Sequence, residues 1–589
     1  MMWSTSTDAP GKARERVWLD PRRGDVEDDA ASAKQRSLLA IAGSLLVEIS
    51  LLKLLFAWTV LLLLPAALLG LAPLVATAWF STLSRHLFAL TEIGAALMLI
   101  AIAALGWIGW RPLLQVVEIN FWSLNALAVQ PSYAFGREAL QHLAELAWRK
   151  DLNSASRTRL RRTCSLAAGI LLGAVAASVA ILVGPFTQWT ATSHELALMH
   201  LLVKVTLANS IFVVCCYLAV ASLAWGFADA RMNQPVDFAA FDAPVSGSRI
   251  WRIAHLSDLH AVGERYGFRI ESGRAGPRGN ERLRSVFAQL AAMHAAEPFD
   301  HVLITGDMTD AGRASEWAEF LDTLFEHPEL AALTIMLPGN HDLNIVDRAN
   351  PARLDLPLGS GKRLRQMRTL AAIAAVQGER ARPVNASGKI TSTLHQALAP
   401  HQAQIAAFAE HGGMRRAAAL RRIFDAQFPM ILPPDRENGI CVAILDSNAA
   451  NHFSFTNALG LISLEQTRRL EAAIAQFPKA AWIIALHHHL VEYPMPVTTF
   501  SERVGTALIN GSWFVRRIQK FADQAIVMHG HRHVDWIGAC GALKIVSAPS
   551  PVMAIGENAD SHFYIHRLMR GPNGRLCLAR PERVEIAGS

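Results

Sequence analysis

Residues 249–260 read Arg249-Ile250-Trp251-Arg252-Ile253-Ala254-His255-Leu256-Ser257-Asp258-Leu259-His260, a β-type run that stops abruptly at an Asp-x-His pair. The same punctuation recurs down the chain. The run 301–305 enters Gly306-Asp307-Met308-Thr309-Asp310, and 333–337 enters Pro338-Gly339-Asn340-His341-Asp342. The run 440–445 precedes Asp446-Ser447-Asn448, 482–486 precedes His487-His488-His489, and 525–528 precedes Gly530-His531-Arg532-His533. Short apolar runs alternating with amphipathic or polar helical stretches predict an α/β domain with largely buried strands. In an open α/β sheet, ligands collect beyond the carboxyl ends of the strands, so polar clusters placed there converge on one site.

The residue types specify the chemistry. Asp, His and Asn without thiolates favour Mn, Fe, Zn or Mg over soft-metal sites. Asp258 and His260, two apart, can both reach one ion from a strand-to-loop turn, and His531 and His533 have the same spacing, so each of those can serve a different ion. About seven ligands exceed one tetrahedral zinc and suit two metals sharing a carboxylate. Two cations ~3.5–4 Å apart acidify a bridging water and clamp phosphoryl oxygens for in-line attack.

In its order this series resembles the calcineurin-like metallophosphoesterases, whose pattern is DxH, GDxxD, GNH[DE], H and GHxH. The resemblance covers about residues 248–550 with all five blocks intact. A lone Asp-Leu-His is usually a loop and a lone Gly-Asp a turn; the ordered set carries the reading. It implies a β-sandwich flanked by helices and a phosphoester-hydrolysing enzyme with two divalent ions. Asp258, His260, Asp307 and His533 would surround one ion; Asp307, Asn340, His487 and His531 would hold the other, with Asp307 bridging. His341 would protonate the leaving oxygen or steady the phosphoryl charge, and Asp310 would orient His341. Family members commonly place proline after the fourth-block histidine, whereas Leu490 follows the triplet here. His487, the first after the strand, is the expected ligand, and His488 is the alternative. Protein Ser/Thr phosphatases of the family carry Arg-Gly after GDxxD; this chain has Ala311-Gly312. Asp446-Ser447-Asn448, with Gly460-Leu461-Ile462-Ser463 and Glu465-Gln466, instead resembles the bacterial cyclic-nucleotide phosphodiesterase-like branch. The substrates implied are a cyclic nucleotide, another phosphodiester, a phosphomonoester or a lipid-linked phosphate.

Outward from this domain the texture changes. Of 589 residues, 52% are apolar and only 18% charged, against ~25% charged in ordinary soluble domains. A disordered chain, a coiled coil and a simple soluble enzyme are thereby excluded. Residues 1–37 form a polar tail without the pattern of a cleavable signal peptide. Residues 38–230 predict a membrane region of about four spans, at 54–80, 93–110, 164–183 and 205–227, each near the ~20 residues that cross a bilayer. A linker at 231–247 then leads to the phosphoesterase domain at 248–589. Lysines and arginines number 7 in the tail 1–37, 1 between the first two spans, 8 between the second and third, and 0 over 184–199, an alternation that places both termini and the catalytic domain on the cytoplasmic side of an inner membrane.

The net charge of +7 is expected to serve the membrane surface, since the basic residues lack the interleaved aromatics of a nucleic-acid platform. No CxxC occurs among the six cysteines, which fits a reducing compartment. Between the third and fourth runs, about 343–438, lies an expected helical insertion. Lys362, Arg363, Arg365, Arg368, Arg415, Arg416, Arg421 and Arg422 give it charged, solvated faces; the other reading is a lid that meets anionic substrate or headgroups. His489 is expected at the pocket rim or in solvent. The spans carry almost no charge, which speaks for an anchor or sensor and against an ion pathway. The alternative to an enzyme is a non-catalytic membrane sensor built on a phosphoesterase-like binding domain. Oligomeric state leaves no mark in the sequence.

Overall fold

The computed structural model describes residues 64–89, parts of 93–107, 129–148, 153–263, 280–343, 360–448, 460–495, 508–553 and 561–586, apart from breaks of one or two residues within these segments. The first part is a helical bundle: α1 (Leu64–Ala89), α2 (Gln130–Trp148), α3 (Ser154–Val183) and α4 (Met199–Arg231). Three stretches among the described residues, Ala66–Ser84, Ala155–Phe186 and Met199–Arg231, are long and apolar enough to cross a membrane. They overlap the first, third and fourth expected spans. Of the second, 93–110, residues 93–101, 103, 104 and 107 are described and helical, while its end and the start of the first lie outside the described residues.

The bundle is packed inside out. Ile170, Leu171, Val175, Ile181 and Leu182 of α3 and Val203, Leu207, Val220 and Phe227 of α4 are exposed, whereas the helices touch through small residues. A Cβ on Gly169 would lie 2.6 Å from the Ser222 carbonyl oxygen, and one on Gly226 would lie 2.8 Å from that of Ser165. Residues four apart share a helix face, so Ser165 and Gly169 meet Ser222 and Gly226, the small-residue contact of helices that pack in lipid.

Residues treated in the sequence as a plain basic connection between the second and third spans contain α2, whose Tyr133 and Glu138 are fully buried. Tyr133 donates to Asp229 Oδ2 at 2.9 Å, Arg137 Nη1 to the same oxygen at 3.0 Å, and Arg161 Nη2 to Glu138 Oε1 at 2.9 Å. Asp229, near the end of α4 and just past the expected fourth span, is thus a buried charge. It is tolerated because each oxygen has a donor.

Fourteen strands follow among the described residues: β1 (Pro235–Asp237), β2 (Ile250–Leu256), β3 (His301–Ile304), β4 (Thr334–Met336), β5 (Arg382–Pro383), β6 (Met430–Leu432), β7 (Ile440–Ile444), β8 (Ala481–Ala485), β9 (Ala525–His529), β10 (Trp536–Cys540), β11 (Leu543–Ser547), β12 (His562–Arg570), β13 (Leu576–Leu578) and β14 (Glu582–Glu585). One sheet runs β1-β10-β11-β9-β8-β7-β6-β5; the other runs β13-β12-β2-β3-β4, with β14 beside β12. Both are mixed. The centres are parallel, β7–β8–β9–β11 and β2–β3–β4, and antiparallel strands extend them. All six runs expected from the sequence are strands.

Alternation along the strands builds two cores. Val442, Ile444, Ile483 and Met528 join Ile253, Leu256, Val302 and Ile304 in a core between the sheets. Cys441, Ala443, Trp482, Ile484 and Val527 face the other way, against the helices Leu464–Gln476 and Gly511–Ile518. The domain is therefore α/β with mixed sheets.

The insertion departs from the expected solvated helices. It supplies β6 and the edge strand β5 of the larger sheet. On the helix Ser360–Gln377, Lys362, Arg363, Arg365 and Arg368 are buried, and Arg368 Nη1 donates to the Gly312 carbonyl at 2.9 Å. Their long stems fill space as apolar groups would while the heads find partners. Arg415, Arg416 and Arg422 are exposed, as expected.

Candidate metal centre

Five non-glycine residues among those described hold a positive φ: Asp258 (55°), His260 (41°), Asp307 (52°), His531 (79°) and His533 (54°). Every one is a ligand expected from the sequence. A non-glycine residue in this region costs of order 1–3 kcal/mol and persists where its surroundings overdetermine it. Here the backbone N–H of Asp258 donates to the Gly306 carbonyl at 3.0 Å and that of His260 to the Asp307 carbonyl at 2.9 Å. The His531 N–H donates to Asp258 Oδ2 at 2.9 Å, and Ser550 Oγ donates to the Asp258 carbonyl at 2.7 Å. Two glycines let the loops close: a Cβ on Gly339 would meet Asp307 Oδ1 at 2.0 Å, and one on Gly306 would meet His487 Nδ1 at 2.4 Å.

The side chains form two groups with Asp307 between them. Asp258, His260 and His533 offer ligand atoms within 4.8 Å of one another, as do Asp307, His487 and His531. In the first group His533 Nε2 is 3.3 Å from Asp258 Oδ1 and 3.1 Å from His260 Nε2. In the second, Asn340 Oδ1 is 2.9 Å from both His487 Nε2 and His531 Nδ1. Asp307 Oδ2 lies 3.9 Å from His260 Nε2 and 3.3 Å from His487 Nε2, so one carboxylate oxygen reaches toward both groups. Lone pairs converge without donors to match: Asp258 Oδ1 is buried without a hydrogen-bond partner, and ring nitrogens approach one another pairwise. Cations relieve that arrangement, and the nitrogen and oxygen donor set fits divalent metals.

His487 Nδ1 is 2.8 Å from the Thr305 carbonyl, which fixes the proton there and leaves Nε2 free to bind a metal. His488 turns away, with Nδ1 2.8 Å from Ser447 Oγ. The geometry thus brings His487 rather than His488 into the cluster. His341 Nδ1 lies 2.6 Å from the carbonyl oxygen of Asp310, while the Asp310 carboxylate lies 3.3 Å from His260 Nδ1. Asp310 thus meets His341 through its backbone carbonyl, and its carboxylate lies within 4.8 Å of ring nitrogens of both His260 and His341. His489, expected near solvent, is buried, with its ring stacked 6.0 Å from that of His531.

Asp342 was quoted in the third block without a role. It accepts from Thr309 N–H (2.9 Å), Thr309 Oγ1 (2.7 Å) and Gly339 N–H (2.9 Å), tying the second block to the third. Asn448 Nδ2 donates to the Pro338 carbonyl at 2.9 Å, and Gln466 exchanges hydrogen bonds with the Asp446 backbone at 2.8 and 2.9 Å. The two branch-level motifs therefore meet at the start of the third block.

Electrostatics separate the groups. Burial opposes the charge on Asp307, but His487 and other histidines outweigh it and hold the carboxyl well below the usual range. Asp258, likewise buried, is brought down to about 2, chiefly by His533. Burial pushes His487 down, yet Asp307 more than compensates and lifts it to about 9. Burial leaves His260 at about 4 and holds His531 low. Asp342 is pushed up to about 6 by burial and by Asp307.

The calcineurin-like phosphoesterase family matches residues 252–535. No curated protein matches the chain. Similar solved structures include a dimetal phosphatase from Danio rerio, 10% identical over 57% of this chain and 99% of that one, with a TM-score of 0.32. A putative 5'-nucleotidase from Staphylococcus aureus is 11% identical over 58% of this chain and 55% of that one, with a TM-score of 0.31. The NAD nucleotidase of Haemophilus influenzae is 12% identical over 57% and 51%, with a TM-score of 0.29.

Proposed function

From the premise that residues 252–535 carry a calcineurin-like phosphoesterase domain, we propose that this protein is a membrane-anchored, two-metal phosphoesterase acting on a phosphodiester in preference to a monoester. The observation that carries the reading is the shared carboxylate: Asp307 stands between two His-rich groups whose backbones are strained to face one another. Asp258, His260, Asp307 and His533 would hold one ion, and Asp307, Asn340, His487 and His531 the other. When bound, the pair supplies an acidified water and a positive clamp on the phosphoryl oxygens.

The chain's own groups do the rest. Asn340 is oriented by the same loop that presents His341, whose backbone N–H donates to Asp307 Oδ1 at 2.8 Å. With Nδ1 at the Asp310 carbonyl, His341 has Nε2 left to meet the leaving oxygen or a phosphoryl oxygen. The meeting of Asp446-Ser447-Asn448 with Gln466 beside the third block supports a cyclic nucleotide or related diester; the apolar helices support a lipid-linked phosphate as the other substrate class.

The topology proposed is four spans with both termini inside. A reporter fused after Ser589 should be active only as a cytoplasmic reporter, and periplasmic activity would overturn it. The function is tested with purified full-length protein, Mn²⁺ and a panel of diesters and monoesters. Metal uptake without hydrolysis of any panel member would favour the sensor reading instead.

A further inference from the structure

The seam between the bundle and the catalytic domain reaches the metal centre through one layer of side chains. Arg532, between the two ligands of the fifth block, points away from them and meets Glu492 Oε2 at 2.8 Å, over the ring of Tyr493 at 5.3 Å. The other Glu492 oxygen is 3.4 Å from His489 Nε2, and the His489 ring stacks on His531. Tyr493 pins the far end of the loop: its hydroxyl donates to Ser547 Oγ at 2.9 Å, which donates to the Val534 carbonyl at 2.8 Å. His531 and His533 need such a hold, since both sit at positive φ.

Glu492 also has a second side. It lines a cavity together with Arg137, Arg161, Trp225, Asp229 and Ser512. Across that seam Ser512 Oγ donates to Asp229 Oδ1 at 2.7 Å, latching the helix Gly511–Ile518 to α4.

We infer that Glu492 is a positioning residue, through which α2 and α3, by way of Arg137 and Arg161, help to set the geometry of His531 in the metal centre. This rests on the two-metal reading above. It gives the bundle a task beyond anchoring: a shift of α3 would be felt at the ion held by Asp307, Asn340, His487 and His531. Across the shared cavity Arg137 and Arg161 act on Glu492 through charge, and from Glu492 the contact runs through His489 to the stacked ring of His531; such packed and charged neighbours can carry coupling.

The test is a titration of metal-free, full-length protein in detergent with Co²⁺ as the probe, read by visible absorption, so that no substrate enters. Groups that orient metal ligands are typically worth about 10- to 100-fold in affinity. Glu492→Gln should weaken one of two Co²⁺ phases by that factor and spare the other, which serves as the control for folding. Arg161→Gln, outside the catalytic domain, should weaken the same phase by about 2- to 30-fold. The double variant should lose less than the product of the two, because both act through one carboxylate. Unchanged Co²⁺ binding in Glu492→Gln would overturn the proposal, and so would a full product in the double variant. If Glu492→Gln disturbs both phases by unfolding, Glu492→Asp and Arg161→Gln carry the same test. Absence of two-phase uptake in the unaltered protein would instead sink the two-metal reading itself.

Discussion

The bundle and the catalytic domain bury opposite things. In α3 and α4 the contacts are Ser165, Gly169, Ser222 and Gly226, while Ile170, Ile181 and Leu182 face outward. In β7 and β8 every residue is buried, and the polar groups appear only where the strands end. The difference is the one expected between a bundle that would meet lipid and a domain that would meet water. In lipid, apolar side chains gain little from one another, and close backbone approach holds helices together. In water the apolar strands drive folding, and that burial stabilises the strained polar rim. The site sits where the second kind of packing can carry its cost.

The largest expected effect falls on one half alone. Asp307→Asn should weaken both ions and abolish measurable hydrolysis, because one oxygen lies near ligands of both groups. The bundle should be untouched, which crosslinking of α3 to α4 can check. Two ions at normal stoichiometry with full activity in Asp307→Asn would sink the bridging role.

His341→Ala comes next. It should retain both metals and slow esters with poor, high-pKa leaving groups by about 10²–10⁴-fold, with aryl phosphates slowed less. Equal losses accompanied by a metal deficit would refute the acid role. Equal losses with full metal would make His341 an electrostatic clamp on the phosphoryl oxygens.

A smaller effect separates the halves by pH. In the metal-free protein His487 is lifted to about 9 by Asp307 despite burial. Its folded pKa exceeds the unfolded value near 6.5, so its contribution to stability is complete below about pH 6.5 and is lost as pH rises through about 9. Metal must displace that proton. Uptake at pH 7.5 should therefore release at least one proton, seen by calorimetry in buffers of different ionisation enthalpy. Proton-neutral uptake would show that His487 is already neutral and that the electrostatic account of the second group is wrong.

Much of this was legible in the sequence, and the reasons differ by region. Six strand runs and the blocks at their ends could be read because buried parallel strands are continuous apolar segments with sharp polar boundaries. The short strands β1, β5 and β13 have too few residues for any period to show. Arg363 and Arg368 read as solvated because charge predicts exposure unless partners are visible, and the partner of Arg368, the Gly312 carbonyl, lies 56 residues away. Asp229 was missed for the same reason, since Tyr133 and Arg137 reach it from α2. The positive φ angles could not be read from residue type, because aspartate and histidine, though among the side chains that enter this region most readily, far more often lie outside it.

The smallest effect is the most direct test of the comparison, because the same substitution is made in both halves. Ile484 in β8 is fully buried, and Ile181 in α3 is 74% exposed. Ile484→Ala removes packed atoms from the core behind β8 and should cost about 2–5 kcal/mol of domain stability, read from denaturant unfolding. Ile181→Ala leaves no cavity inside the protein. If its face meets hydrocarbon, the chain exchanges one apolar contact for another, and the bundle should change by less than about 0.5 kcal/mol. Ile181→Asp then tells lipid from water at that position. A carboxylate opposes insertion by about 2.5–3.5 kcal/mol at the centre of a span and by less toward the end, where Ile181 lies, whereas on a water-facing surface it is nearly neutral. Membrane fractionation of the Ile181→Asp protein should show reduced insertion relative to Ile181→Ala. Equal insertion of the two variants would place this face of α3 in water, and the inside-out packing would then need an apolar protein partner in place of lipid.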